Sequence, residues 1–228
     1  MLFVMESHPN DYRLERWLAV LLSLLFFLPF VARADDIVLA NYSYHGDEMP
    51  YRDGEEFLAL HHDLVLVPVR IHVAAERDMY DEEGQQTGKL VTAVGFQEVI
   101  LLRGKRLNPG KVVAAEPDYE ELIPYSRTAT FTLSSMRYDV SYRCDKEECA
   151  LVMESDGIEQ ELVRIPADPG DIEHFINFAG DLDHDGRLDL IANLPKHWNE
   201  SRPTLFLSSS AGKGQLVGKA AELSMTGC

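Results

Sequence analysis

The sequence predicts a mainly β protein, built of antiparallel meander or sandwich-like sheets with few helices. Three observations predict it. Period-two alternation recurs in short runs, most clearly at Val65, Val67, Val69, Ile71 and Val73. Turn signals such as Asn108-Pro109-Gly110 and Asp156-Gly157 separate the runs. No long stretch sustains a 3.6-residue period.

The chain opens with a leader pattern. Arg13 and Arg16 precede an apolar run from Trp17 to Ala32, and Ala32-Arg33-Ala34 forms a small-residue cleavage site. That is the layout of a secretory signal peptide. The run is shorter than the ~20 residues that span a bilayer, and Pro29 interrupts it. We therefore expect residues 1–34 to be removed and the protein to be exported, periplasmic or extracellular. No later apolar run is long enough to span a membrane, so no membrane partner is expected after cleavage. The remainder reads as two β-rich halves, 35–127 and 128–228, or as one continuous domain 35–228.

Taken in order, Ile37 to Asn41 reads as a short strand after a polar start, and Glu56 to His61 as another short segment. Leu64 to Val73 is a half-buried strand, with Arg70 and His72 on its solvent face. Pro68 lacks a ladder donor, which places this strand at an edge or gives it a bulge. Ala75 to Lys89, with Glu82-Glu83-Gly84, reads as a solvated loop. Strands are expected at Leu90 to Val94, Phe96 to Arg103 and Lys111 to Ala115. Glu116 to Arg127 is an acidic connection broken by Pro117 and Pro124. Thr128 to Ser134, Glu173 to Ala179, Leu188 to Asn193, Pro203 to Ser208 and Gln215 to Ser224 complete the β candidates.

The most self-consistent hairpin joins Tyr138–Cys144 to Cys149–Met153 through Asp145–Glu148. Folded symmetrically, it sets Cys144 against Cys149, Tyr142 against Leu151 and Val140 against Met153. Opposed residues in an antiparallel pair have Cα atoms roughly 4.5–5.5 Å apart, within reach of a disulfide. We expect Cys144–Cys149 to be a structural bond, since a redox Cys-x-x-Cys has two intervening residues. Cys228 is left over. Asp156-Gly157 then turns the chain into Ile158–Ile165, making a three-stranded meander.

The net charge of −17 sits wholly on the part after the leader, where it repels phosphate backbones and favours cations. Nucleic acid is not an expected partner. The densest acidity is Asp181-Leu-Asp-His-Asp-Gly-Arg-Leu-Asp189. Alternate carboxylates in a tight loop converge on one point, and calcium seeks six to eight oxygens at about 2.3–2.6 Å. Asp181, Asp183 and Asp185 would supply side-chain oxygens, Arg187 its carbonyl with its side chain in solvent, and Asp189 the far side. Gly186 permits the turn, and Leu188 packs inward. Without a cation, like charges near 4 Å repel by about 4 kcal/mol at an effective dielectric of 20.

An EF-hand is excluded, because its twelfth position is Ala192 and not Glu. The segment Phe178-Ala179-Gly180-Asp181 through Asp189-Leu190-Ile191 resembles the strand–loop–strand calcium sites of FG-GAP and VCBS repeats. The resemblance covers roughly residues 174–210 and implies Ca2+ at Asp181, Asp183, Asp185, Arg187 and Asp189. Such repeats build propellers from several loops. A single copy argues against a full propeller. The tail, with Thr204–Ser209, is similar to that of exported bacterial proteins with one such loop, a similarity that implies no activity.

Other candidates are weaker. His61-His62-Asp63 with His72 lacks the spacing of a known metal cluster. His184 occupies a loop position that points away from an ion. Lys196-His197-Trp198-Asn199 could present an aromatic patch to a protein or glycan. Asn41-Tyr42-Ser43 and Asn199-Glu200-Ser201 are glycosylation sequons. No hydrolase or nucleotide motif is present. Three functions follow: an exported non-enzymatic protein with a structural calcium, a surface interaction or adhesion module, or a hydrolase using Glu116, Asp118, Glu120 or Glu121.

Overall fold

The computed structural model describes residues 35–96, 100–116, 128–167, 172 and 174–226, and the main chain of 121–122. The leader, Cys228, Asp118 and Glu120 lie outside the described residues, as does the side chain of Glu121. The fold is mainly β and antiparallel, without an α-helix among the described residues, and it is not a propeller.

The first sheet contains β1 (Asp36–Leu39), β2 (Tyr42–Tyr44), β3 (Glu56–His61), β4 (Val65–Glu76), β5 (Gly88–Ala93), β6 (Ile100–Arg103) and β7 (Gly110–Lys111). Its order is β1-β6-β3-β4-β5-β2, with β7 against β4. The two end strands are consecutive in the chain, separated only by Ala40 and Asn41. The sheet must therefore curl until its ends are neighbours, which gives a nearly closed barrel. Tyr44 seals the seam: its hydroxyl donates to the Leu39 carbonyl at 2.7 Å and accepts from the Leu39 N–H at 3.0 Å. Val38, Tyr44, Phe57, Ala59, Ile71, Val91 and Leu101 fill the interior.

Two expectations for β4 are refined. Val69, Ile71 and Val73 do face this interior, but Leu66, on the opposite face, is equally buried against another sheet. By strand order β4 is internal. Along the edge away from β3, however, its partners are β7 at Val65–Leu66 and β5 at Ile71–Glu76. Pro68 falls in the gap between them, where no ladder donor is required.

The second sheet is a meander of β10 (Ala129–Leu133), β11 (Met136–Cys144), β12 (Glu148–Ser155) and β13 (Ile158–Pro166), in that order. Val140 pairs with Met153, Tyr142 with Leu151 and Cys144 with Cys149, the register read from the sequence. The two cysteines lie at disulfide distance, with Cα atoms 4.0 Å apart, somewhat closer than an unlinked pair. Asp156 and Gly157 both have positive φ, at 46° and 75°, as a type I′ turn requires.

The third sheet has the order β18-β17-β15-β14-β8 from β8 (Val113–Ala114), β14 (Phe175–Asp181), β15 (Asp189–Asn193), β17 (Pro203–Leu207) and β18 (Gly218–Glu222). The short β9 (Glu121–Leu122) also pairs with β14. A separate ribbon joins β16 (Glu200–Ser201) to β19 (Met225–Thr226). One face of this sheet packs on the meander through Ile176, Leu190, Ala192 and Phe206. The other packs on the barrel through Phe178, Ile191, Leu205 and Leu207. A layer covered on both faces should read as a continuous apolar run, and every residue of β17 is buried.

Further boundaries differ from expectation, among them Lys111–Ala115, which is split between β7 and β8. Residues 77–87 are not merely solvated: Asp78 and Asp81 are buried and organise the loop. The Asp78 N–H donates to Asp81 Oδ2 at 2.8 Å, and the Thr87 N–H does the same at 2.8 Å. The last β candidate shrinks to Gly218–Glu222, because Leu216 and Val217 are held by the Gln160 side chain instead of a ladder.

Candidate metal centre

The acidic loop is the closed end of the β14–β15 hairpin, and both strands are anchored in the layer buried on its two faces. Gly180 marks the close approach that sets its entry. It pairs with Ala114 on β8, and a Cβ there would lie 2.3 Å from the Val113 carbonyl oxygen. Gly186, at φ 81°, makes the turn assigned to it, and His184 also takes a left-handed φ of 67°. Leu182 and Leu188 are buried and pin both limbs of the loop.

Asp181, Asp183 and Asp189 each bring a carboxylate oxygen to within 4.8 Å of the others. Oxygens on opposite sides of a calcium ion are about 5 Å apart, so the spacing suits that ion. Asp181 is oriented by the loop itself, its oxygens accepting from the Asp185 and Gly186 N–H groups at 3.0 Å each. Asp189 is wholly buried. It accepts from the Leu182 N–H at 2.7 Å, the Asp183 N–H at 3.3 Å and the Ser208 N–H at 2.7 Å. Burial, reinforced by the Asp183 charge, outweighs these bonds and pushes its carboxyl up to about 7. Asp183 has one oxygen bonded to the Ser209 hydroxyl, while its buried Oδ1 has no partner.

Asp185 stands apart from that group. Its Oδ2 receives the Ser208 hydroxyl at 2.8 Å and the Arg187 guanidinium at 2.7 Å. Burial opposes its ionisation, but these donors together hold its carboxyl below the usual range. The Arg187 side chain is exposed, as expected, and from solvent it pairs with the Asp185 carboxylate two residues away.

Ser208 and Ser209, noted in the sequence only as part of the tail, were not assigned to the acidic loop. They form a 3-10 turn, Ser208–Ser210, directly after β17. A polar triplet closing a fully buried strand is the signal that could have found them. Of the weaker candidates, His61 pairs with Asp63 at 2.7 Å and the exposed His72 with Asp53 at 2.7 Å, in separate contacts. Trp198 is 76% exposed. Glu116 lies at a bridge to Thr132.

The donor set is all oxygen, and one buried acceptor is unused, so the residues present fit a hard divalent cation. Compared with known proteins, the chain matches no family model, no curated protein and no solved structure.

Proposed function

We propose that loop 181–189 holds one calcium ion and that the ion stabilises an exported, non-enzymatic β protein. Asp181, Asp183 and Asp189 would hold it, with Asp185 and the Arg187 carbonyl as further ligands. The observation that carries this reading is the buried, unpartnered Asp183 Oδ1 beside two other carboxylates. A bound divalent ion supplies positive charge that offsets their repulsion, and it links the two limbs of the hairpin to each other. Such binding adds stability of RT ln(1 + [L]/Kd). A site in the ~10⁻⁴ M class is mostly filled at the ~10⁻³ M calcium such extracellular modules meet. Export is supported by the cysteine pair at disulfide distance. Among the described residues no helix is long and apolar enough to cross a membrane.

The test is thermal unfolding with excess calcium and with chelator, for the parent chain and Asp183→Ala. The parent should melt higher in calcium, and the variant should lose the difference. Equal melting of the parent in both conditions would sink the proposal. A second reading, an interaction module, draws on the exposed Trp198 beside His197. Binding of a protein or glycan partner that Trp198→Ala abolishes would favour it.

A further inference from the structure

The β14–β15 hairpin carries the acidic loop at one end, and His174 ties the other. His174 immediately precedes β14 and is fully buried. Its Nε2 lies 2.8 Å from the carbonyl oxygen of Pro195, just beyond β15. Its Nδ1 is hydrogen-bonded to the hydroxyl of Tyr142 on β11. A carbonyl can only accept, so Nε2 carries a proton; in the neutral ring Nδ1 is then bare and the Tyr142 hydroxyl donates to it. The two rings also stack, with centroids 5.7 Å apart and planes at 19°. A neutral imidazole in one fixed tautomer thus joins the second sheet to both limbs of the hairpin in the third.

We propose that the Tyr142–His174–Pro195 chain is an acid-sensitive lock between these two sheets. Uptake of a proton at Nδ1 makes both ring nitrogens donors. Tyr142 can then no longer donate to the ring, and a full charge is placed where water does not reach. The groups hydrogen-bonded to the ring are the Tyr142 phenol and the Pro195 carbonyl, and neither is an anion. Burial holds the imidazole below its ordinary value of 6.5, with the Pro195 bond pulling the other way. The lock is therefore shut at neutral pH. Because the opened histidine binds a proton more tightly than the closed one, opening becomes easier as pH falls below the ordinary value. The gain is about tenfold per pH unit, until the closed histidine itself titrates.

Two measurements on the purified protein test this. Imidazole 15N shifts should show the Nε2–H tautomer at pH 7.5 and titration below 6.5. Hydrogen exchange, corrected for its intrinsic pH dependence, should lose protection around residues 141–143, 174–176 and 193–195 as pH falls from about 7.5 to 5. The loss should reach about tenfold per unit in the parent, vanish in His174→Gln, and level off at a higher pH, with a smaller total, in Tyr142→Phe. An Nδ1–H tautomer, a cationic ring at neutral pH, or pH-independent protection in the parent would overturn the proposal. Should His174→Gln fail to fold, the parent titration and Tyr142→Phe decide it.

Discussion

The Ser208 main-chain N–H donates to Asp189 Oδ1 over 2.7 Å, joining the end of β17 to the first residue of β15. Asp189 thus serves two ends. It faces the carboxylate cluster, and it is the acceptor for the buried main-chain N–H groups of Leu182 and Ser208. Asp189→Ala would leave those donors unpaired at about 1–3 kcal/mol each. We expect a loss of at least ~3 kcal/mol in denaturant unfolding, in chelator as well as in calcium. A loss confined to calcium would show that the carboxylate serves the ion alone.

Gly180 is limited by main chain and by the buried Phe178 ring, whose Cζ lies 2.6 Å from where a Cβ would stand. The Val113 carbonyl oxygen and Ala114 Cα lie 2.3 and 2.9 Å from where a Cβ would stand. Gly180→Ala should force β8 away from β14 and cost about 1–3 kcal/mol, as overpacking typically does. Gly157→Ala, at a turn with open space around it, also meets a positive φ but no clash. Its hairpin should stay paired. Urea midpoints of the two variants, with amide exchange at β8 and β13, separate the two effects.

The Cys144–Cys149 pair closes a short loop across one hairpin. In the chain-entropy model, a loop this small contributes only about 2 kcal/mol. Reduction, or the Cys144→Ser/Cys149→Ser double variant, should lower stability by about that amount and leave the circular dichroism spectrum unchanged. Complete unfolding on reduction would show that the meander depends on the bond for its register.

His45 and Asp78 hold residues 77–87 against the end of β2 through a 2.6 Å contact. The hydrogen bond to Asp78, opposed by burial and aided by Glu48 and Asp47, raises the histidine above its ordinary 6.5. Its contribution is therefore complete below pH 6.5 and is lost as pH rises through the raised value. The Asp78 carboxyl is held low, by the Tyr80 N–H first and His45 second, so its contribution disappears only as pH falls below the usual carboxylate range. Thermal midpoints measured from pH 6 to 9 should decline in the parent, and His45→Gln should flatten that decline. A parent curve with no slope over this range would remove the latch.

Much of the secondary structure was legible because its causes are local. Alternation marks the half-buried strands, Asp156-Gly157 carries its own turn geometry, and the β11–β12 register follows once a four-residue turn and one buried face are granted. The acidic loop was legible for the same reason: its spacing, turn glycine and inward leucines all sit within Asp181–Asp189. Within the otherwise exposed loop 77–87, Asp78 and Asp81 were misread because charge looks like exposure in a sequence. Asp78 and Asp81 are buried here by the hydrogen bonds that the folded loop supplies.

The sequence by itself determined a β protein, the disulfide-distance pair, and a tight loop dense in carboxylates. Only the tertiary structure decided that β1 and β2 close a barrel, and that the third sheet is covered on both faces. It also decided that Ser208 and Ser209 reach the acidic loop, and that His174 is buried between Tyr142 and Pro195. Those outcomes rest on contacts between residues far apart in the chain. A periodic pattern states which side of a strand avoids water, but it does not name what covers that side.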